Sequence, residues 1–136
     1  MPADVLAWSH GAALVATGIP LEPVRYNGTG YHIGQANNFL VFPGLGLGVV
    51  VAGARRVTKA MLQAAAKAVA SQVDPTTPGA ALLPDVKNLR ALSAIVAEAV
   101  YAAAVADGVA TKTPDNLVQA IADTMWQPAY EQGQHQ

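Results

Sequence analysis

Two adjacent amide side chains, Asn37 and Asn38, stand at the entrance to a run, residues 39–54, that carries no polar side chain at all. An amide placed beside such a run needs partners for its carbonyl oxygen and for both of its N–H protons. Leaving them unpaired costs on the order of 1–3 kcal/mol each. Two solutions satisfy them. A structural network or a helix cap is one, since Asn suits the first position of a helix without any ligand. A small polar ligand is the other: an amide can donate to a carboxylate through its NH₂ and accept from a hydroxyl through its oxygen, adding orientation without charge. One Asn can also hold the scaffold while its neighbour points into a pocket.

Other constellations are weaker. Gly44-Leu45-Gly46-Leu47-Gly48 invites a dinucleotide-binding reading, but the G-x-G-x-x-G fingerprint needs glycine where Val49 sits. That fingerprint also wants an acidic residue about 20 positions on, and the next one is Asp74. Glycine for close helix packing explains the run equally well. His10, His32 and His135 are far apart and form no ligand spacing. The carboxylates stand singly, and Ser9, Ser71 and Ser93 lack the context of a nucleophile elbow. The chain is expected to hold no self-contained catalytic centre and no metal site.

The elements that position the pair follow from local signals. Residues 2–9 read as helical turns that stop at Gly11, and 12–17 as a short apolar strand ending at Gly18. Pro20 and Pro23 force an irregular connection. Asn27-Gly28 between Val24-Arg25-Tyr26 and Tyr31-His32-Ile33 predicts a small hairpin with a type I′ turn. From Asn37 the chain turns helical, with Pro43 opening a helix that is apolar all round, hence buried, and closed by Arg55 and Arg56. Thr58 caps the next helix, whose stripe is Met61, Ala65, Val69 and Val73, widened by Leu62 and Ala68. Residues 74–79 form a loop. A long helix begins near Asp85 or Val86 and runs to about Ala106, ended by Asp107-Gly108; its face is Leu89, Leu92, Val96, Val100 and Ala103. A last helix takes Thr113 as cap and Pro114 at its first position, and Leu117, Ile121 and Met125 line it.

Bulk properties narrow the partners. The 136 residues are 52% hydrophobic and only 12% charged, against a typical charged share of about 25%. Such a chain buries most of its length or presents apolar surface that other polypeptide covers, which suggests a piece of something larger. The net charge is −1 and the eight basic residues are scattered, so no nucleic-acid partner is expected. Cysteine is absent, which fits a cytoplasmic protein. The start lacks the regions of a signal peptide. The run 39–54 is broken by Pro43 and four glycines and is shorter than the roughly 20 residues of a spanning helix; no membrane segment is expected.

The segment Gly34-Gln35-Ala36-Asn37-Asn38-Phe39-Leu40-Val41-Phe42-Pro43-Gly44 resembles the Asn-Asn/Phe-Pro-Gly segment of malic enzymes. Ala13-Leu14-Val15-Ala16-Thr17-Gly18, with Pro20 and Pro23-Val24, resembles the strand and loop before it. Ala81-Leu82-Leu83-Pro84 and the late aromatics Trp126 and Tyr130 match in order. The similarity covers almost the whole chain, and the Tyr-Asn-Gly hairpin looks especially like that of the long bacterial malic and malolactic enzymes.

The resemblance implies an α/β fold: the C-terminal portion of a Rossmann-like NAD-binding domain, mostly helical, with one or two short strands and a small hairpin. Residues 1–130 would form that part and 131–136 a disordered tail. It implies oxidative decarboxylation of L-malate to pyruvate with NAD or NADP and a Mn or Mg ion, or, in malolactic enzymes, conversion to lactate with NAD and Mn. Asn37 and Asn38 would approach malate and the nicotinamide, and Gly18 the cofactor. The family's catalytic Tyr and Lys, its metal-binding acids and its glycine-rich turn lie upstream, as does an Asn-containing turn that normally comes shortly before Pro2. The partner is then the upstream part of the same enzyme, a homo-oligomer when full length, and the isolated chain is expected to be inactive. Many relatives carry a small polar residue where this chain has Ile19, which weakens any transfer of side-chain function there. The competing expectation is a non-enzymatic helical module that binds a protein through its apolar helices.

Overall fold

A computed structural model describes residues 1–127. The expected tail and Tyr130 lie outside the described residues. Helix α1 (Pro2–Trp8) is followed by strand β1 (Ala16–Thr17), a hairpin of β2 (Val24–Tyr26) and β3 (Thr29–Tyr31), and strand β4 (Gly34–Gln35). A 3₁₀ turn (Asn38–Leu40) leads into α2 (Phe42–Ala52), α3 (Lys59–Ala70), a second 3₁₀ turn (Val86–Asn88), α4 (Leu89–Ala106) and α5 (Leu117–Thr124).

The hairpin forms where Asn-Gly placed it. Asn27 and Gly28 have φ of 47° and 81°, the positive values that a type I′ turn needs at both central residues. Tyr26 pairs with Thr29 and Val24 with Tyr31, and the Tyr26 and Tyr31 rings meet edge to face at 6.5 Å. The strand expected over 12–17 is regular only at Ala16–Thr17. It pairs in parallel with β4, Ala16 beside Gly34 and Thr17 beside Gln35. Gly34 N donates to Val15 O at 2.9 Å and Ala36 N to Thr17 O at 2.8 Å.

The helices pack around α4. Leu92, Val96, Val100 and Ala104 of α4 share a core with Leu40, Leu45 and Ala52 from the α2 side and with Met61, Ala65, Ala68 and Val69 of α3. Gly44 and Gly48 stand four apart, hence on one face of α2. That face meets α4 closely: a Cβ on Gly44 would lie 2.5 Å from Val96 Cβ, and one on Gly48 would lie 2.7 Å from Val100 Cβ and from Ala97 O. The glycine run serves helix packing at two of its three positions; Gly46 has nothing within 4 Å of where its Cβ would be. The segment Val86–Ala106 has the length and mean hydropathy, 1.6, of a spanning helix. A core helix of an ordinary domain has the same composition, and this one is packed between α2, α3 and α5.

Two helix boundaries and two expectations of burial differ from the structure. Helix α2 stops at Ala52 and not at Arg55-Arg56, because Gly53 takes the left-handed conformation (φ 55°, ψ 38°). Thr111 Oγ1 donates to Gly53 O at 2.7 Å, and the N–H groups of Thr111 and Lys112 donate to Ala52 O. Arg55 instead ties the end of α4, its guanidinium donating to Gly108 O at 3.0 Å. Nor is α2 buried all round: Phe42 and Val50 are 60% and 53% exposed. Helix α5 begins after Asn116, whose Oδ1 accepts from Gln119 N at 3.0 Å, so Thr113 and Pro114 precede the helix. Thr58 caps α3 as expected, accepting from Met61 N at 3.2 Å, but Leu62 is exposed.

The two kinds of glycine in α2 give opposite outcomes. Gly48→Ala forces a methyl against α4 and is expected to destabilise the chain by about 1–3 kcal/mol. Gly46→Ala meets only open space and should stabilise it by about 0.5–1 kcal/mol through helix propensity. Thermal unfolding of the two variants checks the pair; equal shifts would refute the packing role of the glycine run.

Candidate functional site

Because β1 and β4 run parallel, their carboxyl ends lie on the same side. Beyond β1 come Gly18, Ile19 and Pro20, and beyond β4 come Ala36, Asn37 and Asn38. The crevice outside the carboxyl ends of parallel strands is where open α/β folds bind ligands. The structure thus brings all three residues singled out in the sequence, Gly18, Asn37 and Asn38, to one edge. None of them lines the apolar groove of about 530 Å³ between α2, α4 and the end of α5, whose walls include Pro43, Leu47, Arg90 and Trp126.

The two amides differ in their environment. Asn37 is half-buried and extended (φ −121°, ψ 135°), and its Oδ1 accepts from Phe39 N at 3.0 Å. That bond caps the 3₁₀ turn, which continues through Leu40 N to Asn37 O and Val41 N to Asn38 O, each 3.1 Å. Leu40, only 3% exposed, pins the same turn into the helical core. Asn38 is exposed, and among the described residues its side chain makes no hydrogen bond. Its whole amide is therefore available to a ligand, while Asn37 has its oxygen engaged by the backbone and, among the described residues, no partner on its NH₂.

Gly18 is exposed, and no atom lies within 4 Å of the place a Cβ would take. The Gly18 backbone is therefore open on the side where a side chain would stand. Thr17 was not singled out in the sequence. Its hydroxyl donates to Ile19 O at 2.8 Å, a local bond that a Thr two positions before a turn residue could have suggested. Among the described residues no group of three or more His, Cys, Asp or Glu could hold a metal ion. Residues 18–20 and 36–38 offer amides, backbone groups and open surface, which suits orientation of a ligand, and none of these six residues carries an acid or a base.

Comparison with known proteins gives a consistent result. The family model described as malic enzyme, NAD binding domain, matches residues 1–105. A Mycobacterium tuberculosis protein provisionally named malate oxidoreductase (NAD) is 66% identical over 131 residues, 96% of this chain and 24% of that protein. The NAD-dependent malic enzyme 3 of Bacillus subtilis is 50% identical over 130 residues, 96% of this chain and 23% of that enzyme. The crystal structure of malic enzyme from Pyrococcus horikoshii superposes with a TM-score of 0.68 at 33% identity, covering 91% of this chain and 25% of that one. The chain spans about a quarter of the length of the relatives it matches. Its mostly helical α/β fold, with few short strands, is that of a portion of a Rossmann-like NAD-binding domain.

The division between the two amides is open to test by stability alone. Asn37→Ala removes a cap and is expected to cost about 1 kcal/mol, whereas Asn38→Ala, exposed and unbonded, should stay within about 0.5 kcal/mol of the parent. Denaturant titration of the two variants measures both; a larger loss at Asn38 would reverse the assignment.

Proposed function

The chain belongs to the malic enzyme family, and from that premise we propose that it contributes the malate- and nicotinamide-facing edge of an NAD-dependent malic enzyme that oxidises L-malate and decarboxylates it to pyruvate. The observation that carries the reading is the exposed amide of Asn38, unbonded among the described residues, at the same edge as the open backbone of Gly18, past the carboxyl ends of two parallel strands. The NAD dependence in the names of the relatives supports NAD as the cofactor.

In this reading bound NAD would supply the acceptor for the hydride that leaves the carbinol carbon of malate. Asn38 donates through its NH₂ to a malate carboxylate and accepts through Oδ1 from the malate hydroxyl. This fixes the carbinol carbon without adding a charge that would compete with the one forming. Asn37 sits beside the ligand but acts chiefly by capping the turn that aims Asn38. Gly18 lets the cofactor lie against the backbone. Acid, base and the ligands of a Mn or Mg ion come from outside residues 1–136. Residues 1–130 are taken as the C-terminal part of the NAD-binding domain. The full-length enzyme is taken as a cytoplasmic homo-oligomer with no nucleic-acid or membrane partner.

A non-enzymatic helical module is the second reading. The observation in its favour is the exposed apolar surface of Phe42, Val50 and Trp126.

In the full-length enzyme, Asn38→Ala is expected to lower kcat/KM for malate roughly 10- to 100-fold, the loss of hydrogen bonds to a charged group. The melting temperature should move by no more than about 2 °C. Unchanged kinetics with a large melting shift would give Asn38 a scaffold role. The 136 residues alone should produce no NADH from malate above a buffer control, and the full-length enzyme with Mn and NAD should release pyruvate. Lactate as the product would make it a malolactic enzyme, and absence of either product would favour the helical module.

A further inference from the structure

The turn after β1 and the turn after β4 lie side by side, and one residue is bonded to both. The Thr17 carbonyl accepts from Ala36 N at 2.8 Å, the last rung before Asn37. The Thr17 hydroxyl donates to Ile19 O, also at 2.8 Å. Little else holds the first turn. Gly18, Ile19 and Pro20 are all exposed, Ile19 at 64%. Among the described residues the Thr17 bond is the one hydrogen bond that reaches residues 18–20. Gly18 has no side chain to pack and no neighbour for one, so its backbone is free to swing unless something fixes it.

Resting on the reading of this edge as a cofactor site, we propose that Thr17 is a positioning residue for NAD: its hydroxyl holds the turn at 18–19 in register with the Asn38 turn, so that both faces of the crevice are preorganised. The carbonyl of Thr17 sets one side through the strand ladder, and the hydroxyl sets the other. The backbone bond is independent of side-chain identity, whereas the hydroxyl bond is a property of Thr or Ser alone. Valine keeps the branched shape and the strand preference of Thr while removing the donor, and this separates the tie from the packing. An untied turn must be ordered when the cofactor binds, and that cost appears in affinity rather than in the chemical step.

The test uses the full-length enzyme with Thr17→Val, Thr17→Ser and, as a reference for the edge, Asn38→Ala. Thr17→Val is expected to raise KM for NAD about three- to tenfold, the scale of one neutral hydrogen bond. Its kcat should stay within about twofold of the parent and its melting temperature within about 2 °C. Thr17→Ser should restore KM, and titration of NAD by tryptophan fluorescence should give the same ratio of dissociation constants. Parent-like KM in Thr17→Val overturns the proposal, as does a rise in KM that tracks a fall in melting temperature and is not restored by Ser. If Asn38→Ala impairs malate kinetics while Thr17→Val leaves NAD untouched, only the role of Thr17 fails. If neither variant changes the kinetics, the reading of the edge fails and the role of Thr17 with it.

Discussion

The close approach of α2 to α4 is the constraint on which the rest of the molecule depends. Gly44 and Gly48 remove the two methyl groups that would otherwise hold the helices apart, and Val96 and Val100 fill the space. A glycine inside a helix costs about 0.5–1 kcal/mol in backbone freedom, offset here by the dense contact between two apolar surfaces. Helix α2 begins at the residues that follow the Asn pair, so its seating on α4 fixes the direction in which Asn38 emerges. Leu40, buried in the same core, removes the remaining freedom of the turn between them.

The candidate site is correspondingly economical. It borrows a rigid floor from the helices and a lip from two short strands, and it exposes few groups of its own. In the proposed role, an uncharged amide and an open stretch of backbone orient a hydroxy acid and a flat ring but move no proton from either. That division of labour fits a chain that spans about a quarter of the length of its relatives. The exposed apolar side chains on the outer side of α2 and at Trp126 also fit a portion that other polypeptide covers, because isolated domains seldom leave such surface bare.

Features set by local chemistry were legible in the residues. Asn27-Gly28 specified its turn, since few other pairs tolerate positive φ twice in succession. Thr58 marked a helix start and Gly108 a helix end, each through bonds that span a few positions. The misjudged end of α2 has another origin. Helix α2 ends at Gly53 because Thr111 and Lys112, far along the chain, take up the carbonyls of Ala52 and Gly53. Arg55 and Arg56 suggested a later end because cations suit a helix C-terminus, yet Arg55 serves the end of a different helix. Thr113-Pro114 had the form of a helix start, but Asn116 provides the cap that is used.

By itself the sequence determined the family resemblance, the choice of three candidate residues, the hairpin and the order of the helices, because each rests on residue types at short separations. It could not say which of two neighbouring amides serves the scaffold, since Asn caps a turn and binds a ligand with the same atoms. Only the tertiary structure shows Asn37 as the cap, with Phe39 N against its Oδ1 next to the buried Leu40 and, among the described residues, no hydrogen bond on the Asn38 side chain. It also decided that Gly18 and the Asn pair share an edge. That adjacency comes from pairing two strands of two residues each, too short to announce themselves by pattern and held together by backbone groups that every residue carries.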